Sequence, residues 1–368
     1  MEKNSVYLHS FLPVLPSCRL AQSEILDWTM KAHSKALEHI GGHDPEKLSS
    51  LKRYFLGDDQ ISARWYECND IDENWENHTI YSITEKTPHG RDIAERNKFF
   101  AVRAQSIFSE IYQKESVPDH LIHVTCTGYV SPSPAQKYFA GKEKSPEITH
   151  AYHMGCYASM PAVRLGEAFV KGRSLEVDII HTEMCSLHMD PETVSPEQMV
   201  VQSLFADGHI KYRLSPKPQG TSLKLLSILE VIVPNSADDM TWIPGPYGMK
   251  MTLSREVPVK IAGELMPYLM QLSQKAGFEF PQLVKNAIFA IHPGGPKIVS
   301  GIQSLLDLSD EQVASSKKVL YERGNMSSAT LPHVWADILK NNPKKGTPVV
   351  ALAFGPGLTM IGCIFEVV

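Results

Sequence analysis

One succession of elements can be read twice along this chain, and that repetition constrains the fold more than any single motif. In the first reading, residues 120–130 (HLIHVTCTGYV) form an apolar run that stops at turn signals Gly128, Pro132 and Pro134, which predicts a buried strand. Residues 153–172 follow, with Ala158, Ala162, Leu165 and Phe169 at helical spacing behind Gly155 and Cys156. Further strands are expected at 174–186, 208–214 and 222–233. In the second reading, 286–296 (NAIFAIHPGGP) is a buried strand running into a Gly/Pro turn, and 297–308 is helical. A turn at 324–329 leads into a helix, and 348–368 gives two strands joined at 355–357. A long helix is expected at 258–277, with two charge-rich helices at 21–40 and 91–113. Strand, tight turn, helix and strand recurring in this order imply an α/β fold with an internal duplication, divided as residues 1–215 and 216–368.

Composition narrows the classes. Hydrophobic residues make up 43% and charged residues 21%, enough for a large core. The formal net charge of -5 argues against a nucleic-acid partner. No basic start with a long apolar run marks a secretory leader, and no stretch holds the roughly 18 apolar residues of a membrane helix. The six cysteines (Cys18, Cys68, Cys126, Cys156, Cys185, Cys363) form no CxxC pair, so reduced thiols and a cytoplasmic location are expected. No metal site is expected either, because His153, His181 and His188 lack a partner set.

Three residues carry chemistry. Cys156, in MGCYA, sits where a strand-to-helix turn should end, and a helix start offers free N–H groups that favour a thiolate and can hold an oxyanion. For an ordinary intracellular cysteine the common reading is an inert buried thiol, and Cys18, Cys68 and Cys363 take it. His292, in AIHPGGP, follows a buried strand and precedes a rigid turn, which would fix its ring in a cleft. Asn325, in GNMSS, opens a helix, where an N-cap is the ordinary reading. Cys156 and Asn325 occupy equivalent places in the two halves, so a pseudo-twofold would bring both to one site. Lys52, Arg53 and Arg64 sit in a mixed segment that could meet a phosphorylated ligand, although solvated charge is the ordinary reading.

The segments GCYASMPAVRLGEAF, IHPGGPKIV, GNMSSA and FGPGLT resemble those of chalcone synthase-like type III polyketide synthases, from about residue 120 to the C-terminus. The resemblance implies a thiolase-like fold, two duplicated halves in a five-layered α-β-α-β-α sandwich, usually homodimeric. It implies that Cys156 takes an acyl group from a thioester, and that His292 and Asn325 polarise the carbonyl of a malonyl-type extender. Decarboxylation would then give an enolate that attacks acyl-Cys156, with possible closure of a pyrone or resorcinol ring. No cofactor is implied beyond acyl thioesters on coenzyme A or a carrier protein. Phe205 matches a gatekeeper phenylalanine, Ser327 a serine beside the cysteine, and Gly355, Pro356 and Gly357 the loop shaping the cyclisation cavity.

Departures from the family pattern widen the choice. Met251 stands at the second gatekeeper, His188 at a pocket threonine, Cys185 at another small polar position, and Ser131 where a methionine would enter the partner's cavity. Cys126 is placed in the pocket wall, and Lys52 with Arg53 are the best match to the coenzyme A grip. The alternative is a ketosynthase that joins two preformed chains, at least one on an acyl carrier protein, into an α-pyrone. A cysteine protease would also use Cys, His and Asn, but would leave IHPGGP and FGPG without a purpose.

Overall fold

The computed structural model describes residues 5–368. Among them, nine strands form one sheet, and two pairs of strands stand apart from it. In chain order the strands are β1 (Tyr7–Val14), β2 (Cys18–Ala21), β3 (Ala63–Tyr66), β4 (His120–Thr125), β5 (Glu147–Tyr152), β6 (Val177–Met184) and β7 (Asp207–Ser215). The rest are β8 (Leu223–Ile232), β9 (Met240–Gly245), β10 (Gly248–Leu253), β11 (Ile288–Ile291), β12 (Pro348–Gly355) and β13 (Thr359–Val367). The large sheet runs β11-β12-β13-β8-β1-β7-β6-β4-β5.

The duplication is written in the strand directions. β4 lies parallel to β6, which is antiparallel to β7, which is antiparallel to β1. On the other side, β11 lies parallel to β12, which is antiparallel to β13, which is antiparallel to β8. β1 and β8 meet only near Tyr7 and Leu8, and this short ladder joins the two four-strand sets. β5, parallel to β4, extends the first set and forms one edge of the sheet.

Each buried strand splits its side chains between two cores, as the period of two demands. Along β12, Val349, Ala351 and Ala353 enter the central core, whereas Val350, Leu352 and Phe354 enter an outer one. In the first half, Ile122 and Ile179 face the same central core, while Leu121 and Ile180 face the other outer one. The central core holds the helices Ser159–Arg173 and Thr330–Lys340, through Ala162 and Val163 of one and Leu331, Val334 and Trp335 of the other. Helices Gln22–Ile40 and Ile93–Tyr112 cover the first half outside, and Val257–Ala276 with Pro296–Leu306 cover the second. The result is the α-β-α-β-α order.

Several elements went unread in the sequence: β1, β2, β3, β5, the β9–β10 hairpin and the helix Asp310–Arg323. The hairpin had a usable signal, since Gly245-Pro246-Tyr247-Gly248 is turn chemistry between two apolar stretches. One position expected on the apolar helical stripe is corrected: Leu165 is 37% exposed, on the face turned from the core. No helix of the described residues is long and apolar enough to cross a membrane.

Candidate active site

The chemistry-bearing residues gather at the carboxyl ends of the parallel strands, where open α/β sheets leave a crevice. Cys126 follows β4, Cys156 follows β5, Glu183 lies near the end of β6 and His292 follows β11. Cys156 lies on a turn just before the helix that starts at Ser159. Gly155 adopts φ 76°, and a Cβ there would stand 2.7 Å from Pro356 Cδ. A Cβ on Gly355 would stand 2.0 Å from the Tyr157 ring. Gly355 and Pro356 thus pack against the turn that carries Cys156, and only glycine permits that approach.

Asn325 sits between β7 and the central helix. Its N–H donates to Leu204 O at 2.9 Å and its carbonyl accepts from Ala206 N at 2.8 Å, which seats it beside Phe205. Its side-chain oxygen accepts from Ser327 N at 2.9 Å and Thr330 Oγ1 at 3.2 Å. The N-cap position of the short helix from Ser327 falls on Met326, so these bonds make a local turn one residue before it rather than the expected cap. With the oxygen occupied, the amide N–H₂ is left as the donor, and its presence favours a thiolate at Cys156. Ser327 adopts φ 50°, an uncommon left-handed setting for a residue with a side chain. That bend puts its hydroxyl 3.7 Å from Cys156 Sγ and 3.0 Å from Cys126 Sγ.

Beneath these groups lies Glu183, fully buried. It accepts from Cys126 N at 3.1 Å, Thr127 Oγ1 at 2.7 Å, Thr125 Oγ1 at 3.2 Å and the Ser328 hydroxyl. Burial pushes its carboxyl above the usual range, while these donors pull it back. An acid inside an otherwise buried strand demanded such partners, and that was the sequence signal for it.

The resting state differs from the expected thiolate. Burial pushes the Cys156 thiol up to about 11, against the bonds from Ser327 and Asn325 that lower it. Burial likewise holds His292 down to about 3, so its ring is neutral. His292 is 1% exposed, yet neither ring nitrogen has a protein hydrogen-bond partner. It makes no bond to Cys156 in this structure. The site holds a neutral thiol and a neutral imidazole with both nitrogens free.

Cys185, His188, Phe205 and Met251 line one cavity, together with Trp242. Trp242 was missed in the sequence. It stands opposite Met251 in the hairpin, stacks with Phe205 at 6.5 Å, and donates its indole N–H to Cys126 O at 2.7 Å. His188 accepts from Met249 N at 3.1 Å and lies 2.9 Å from Thr127 O, so both ring nitrogens are used in holding the hairpin. Cys126 and Ser327 stand with Cys156, and Gly357 adopts φ 90° in the turn to β13. Lys52 and Arg53 lie exposed on a short helical turn, Lys52 paired with Asp27 at 3.1 Å and Arg53 with Tyr54 OH at 3.1 Å. Arg64 is corrected. It is fully buried and donates to Gln22, Gln202 and Phe205, bracing the site from behind rather than meeting a phosphate. Among the described residues, no group of three or more His, Cys, Asp or Glu could hold a metal ion.

Residues 224–368 match the C-terminal domain of chalcone and stilbene synthases. Over 336 residues the chain is 27% identical to a putative chalcone synthase of Bacillus subtilis, covering 85% of this chain and 86% of that one. The chain resembles the chalcone synthase-like type III polyketide synthases, and its C-terminal residues 224–368 match their C-terminal domain. It is a type III polyketide synthase-like condensing enzyme. It is also 30% identical over 255 residues to the probable polyketide synthase 1 of Dictyostelium discoideum, of which it spans only 8%. The fold of polyketide synthase PKS-I from the brown alga Ectocarpus siliculosus superposes with a TM-score of 0.84 at 22% identity, over 100% of both chains.

Buried neutral histidines make this polyketide synthase-like fold acid-sensitive. His181, His188, His292 and His333 are all held down to about 3 by burial, from 6.5. As pH falls below 6.5 the unfolded chain takes up protons that the folded rings refuse, so stability drops through that window. Asp207, pushed up to about 7 by burial, and Glu183, whose carboxyl burial also raises, act in the opposite sense, but they are two groups against four. The urea midpoint is expected to be clearly lower at pH 5 than at pH 7.5; an unchanged midpoint would contradict the neutral burial of these rings.

Proposed function

We propose that Cys156 accepts an acyl group from a thioester and that His292 and Asn325 then hold the oxygen of a malonyl-type extender thioester. Loss of carbon dioxide leaves an enolate, which those two donors stabilise, and its carbon attacks the acyl-Cys156 carbonyl. The observation carrying this reading is His292, buried and neutral with both nitrogens unpartnered. An orphaned buried polar group costs about 1–3 kcal/mol, so its retention fits a substrate oxygen as the missing partner. The freed amide of Asn325 supplies a second neutral donor, as stabilisation of an oxyanion requires. The product then leaves as a pyrone or resorcinol.

Incubation with an acyl-coenzyme A and malonyl-coenzyme A is expected to acylate the Cys156 peptide, release carbon dioxide and form a ring product. Acylated protein that releases no carbon dioxide would sink the reading. Because the thiol sits at about 11, the attacking thiolate becomes commoner as pH rises. Loading is therefore expected to speed up about tenfold per pH unit from 7 to 9. A flat profile would place the proton on an internal base.

Trp242 and Met251 would bound the growing chain. Trp242→Ala is expected to lengthen the accepted starters or products by mass spectrometry, at a stability cost of about 2 kcal/mol. An unchanged length profile would remove the cavity from the substrate path. Lys52 and Arg53 would meet the phosphates of the carrier, and offering one acyl group on coenzyme A and on a carrier protein separates the two sources. A homodimer belongs to this reading, since β5 leaves a free sheet edge that a second copy could cover.

A further inference from the structure

The active site contains a second thiol that the condensation does not use. Cys126 is 3% exposed and Cys156 is 7% exposed, and one hydroxyl, that of Ser327, lies between their sulfurs. Ser327 Oγ donates to Cys156 Sγ at 3.7 Å. A hydroxyl that spends its proton on Cys156 meets Cys126, 3.0 Å away, as an acceptor. The chain of bonds then has one direction, from the Cys126 S–H through Ser327 to Cys156. Glu183 Oε2, 3.7 Å from Cys126 Sγ, is a second acceptor on the same thiol. The strained left-handed setting of Ser327 holds this bridge, and strain of this kind persists where the surrounding structure enforces it.

We propose that Cys126 is a second acyl-accepting thiol, charged from acyl-Cys156 by thioester exchange through Ser327. This rests on the acylation of Cys156 proposed above. The Cys126 Sγ–acyl bond forms as the Cys156 Sγ–acyl bond breaks. The Cys126 proton passes to Ser327 Oγ while the Ser327 proton passes to the departing Cys156 sulfur. Nothing is oxidised or reduced, no co-reactant is consumed, and neither thiolate has to exist free in the buried site. One thioester replaces another, so neither position is strongly favoured, and the burial of both sulfurs keeps water from the bond. Cys156 is thereby released to take a second acyl group while the first stays in the same protomer. A serine or threonine at 126 would instead give an oxygen ester, a far poorer acyl donor for the return transfer.

The test uses the full chain and hexanoyl-coenzyme A, with acid quenching and mass mapping of the Cys126 and Cys156 peptides over time. The expected result is hexanoyl on Cys156 first and on Cys126 after a lag. Cys126→Ser should lose the second thioester and keep the first, and Cys156→Ala should lose both. Ser327→Ala should slow labelling of Cys126 at least about tenfold relative to labelling of Cys156. An unmodified Cys126 peptide beside a fully acylated Cys156 peptide overturns the proposal and leaves the condensation reading standing. Labelling of Cys126 in Cys156→Ala at the wild-type rate overturns the transfer route, and an unchanged rate in Ser327→Ala overturns the relay. If neither peptide is labelled, both the proposal and the reading it rests on fall.

Discussion

Cys156→Ala is expected to retain the fold and lose acyl loading and product formation by about 10,000-fold or more. The two effects separate because of where the thiol sits. Cys156 is buried beside the glycine-tight contact with Pro356, and alanine fits the same space. The change removes a sulfur that accepts from Ser327, so it leaves one donor less well paired. That predicts a stability loss of about 1 kcal/mol, readable by urea unfolding, and no change in secondary structure. Chemistry suffers far more, because Cys156 is the thiol that takes the acyl group from the incoming thioester, and Cys126 is charged only through it. Intact-protein mass after incubation with an acyl-thioester is the deciding measurement. An acyl adduct of wild-type amount on the variant would remove Cys156 as the nucleophile.

The second large effect comes with an opposite sign in stability. His292→Leu is expected to cut decarboxylation of the malonyl thioester by about 100- to 1,000-fold, the usual cost of losing a donor to an oxyanion. Acyl loading should be spared, since the imidazole makes no bond to Cys156 in the resting site. Leucine also removes two buried nitrogens that have no partner, so the variant should be as stable as the parent or more so. Release of labelled carbon dioxide, adduct mass and the melting temperature together test the assignment. A variant with full decarboxylation would exclude His292 from the extender site. One that is strongly destabilised would instead give the imidazole a structural partner.

Reading the sequence reached the parts of this molecule that are written locally. The long helices at 21–40, 91–113 and 258–277 lie within two residues of Gln22–Ile40, Ile93–Tyr112 and Val257–Ala276, because an apolar stripe of helical period needs no distant partner to be visible. The β9–β10 hairpin and β5 escaped because half-buried strands take their pattern from what covers them. The candidate site divides in the same way. Cys156, His292 and Asn325 stand out through their turns, while Trp242 does not, since only folding sets its indole opposite Met251 and over Cys126.

Charge state and partnership were outside the reach of residue order. A helix start suggested a thiolate at Cys156, but burial at the crevice outweighs that local field and leaves a thiol. Arg64 looked like a solvated cation and is instead a fully buried clamp on the carbonyls of Gln202 and Phe205. The strand-turn-helix repetition, being a matter of spacing, is carried by the sequence alone, and with it the twofold plan that pairs the Cys156 turn with the Asn325 turn. The short ladder of β1 on β8, the shared hydroxyl between Cys126 and Cys156, and the unpartnered His292 were decided only by the tertiary structure. Each depends on the desolvation and the contacts of groups far apart in the chain, and no local pattern contains those.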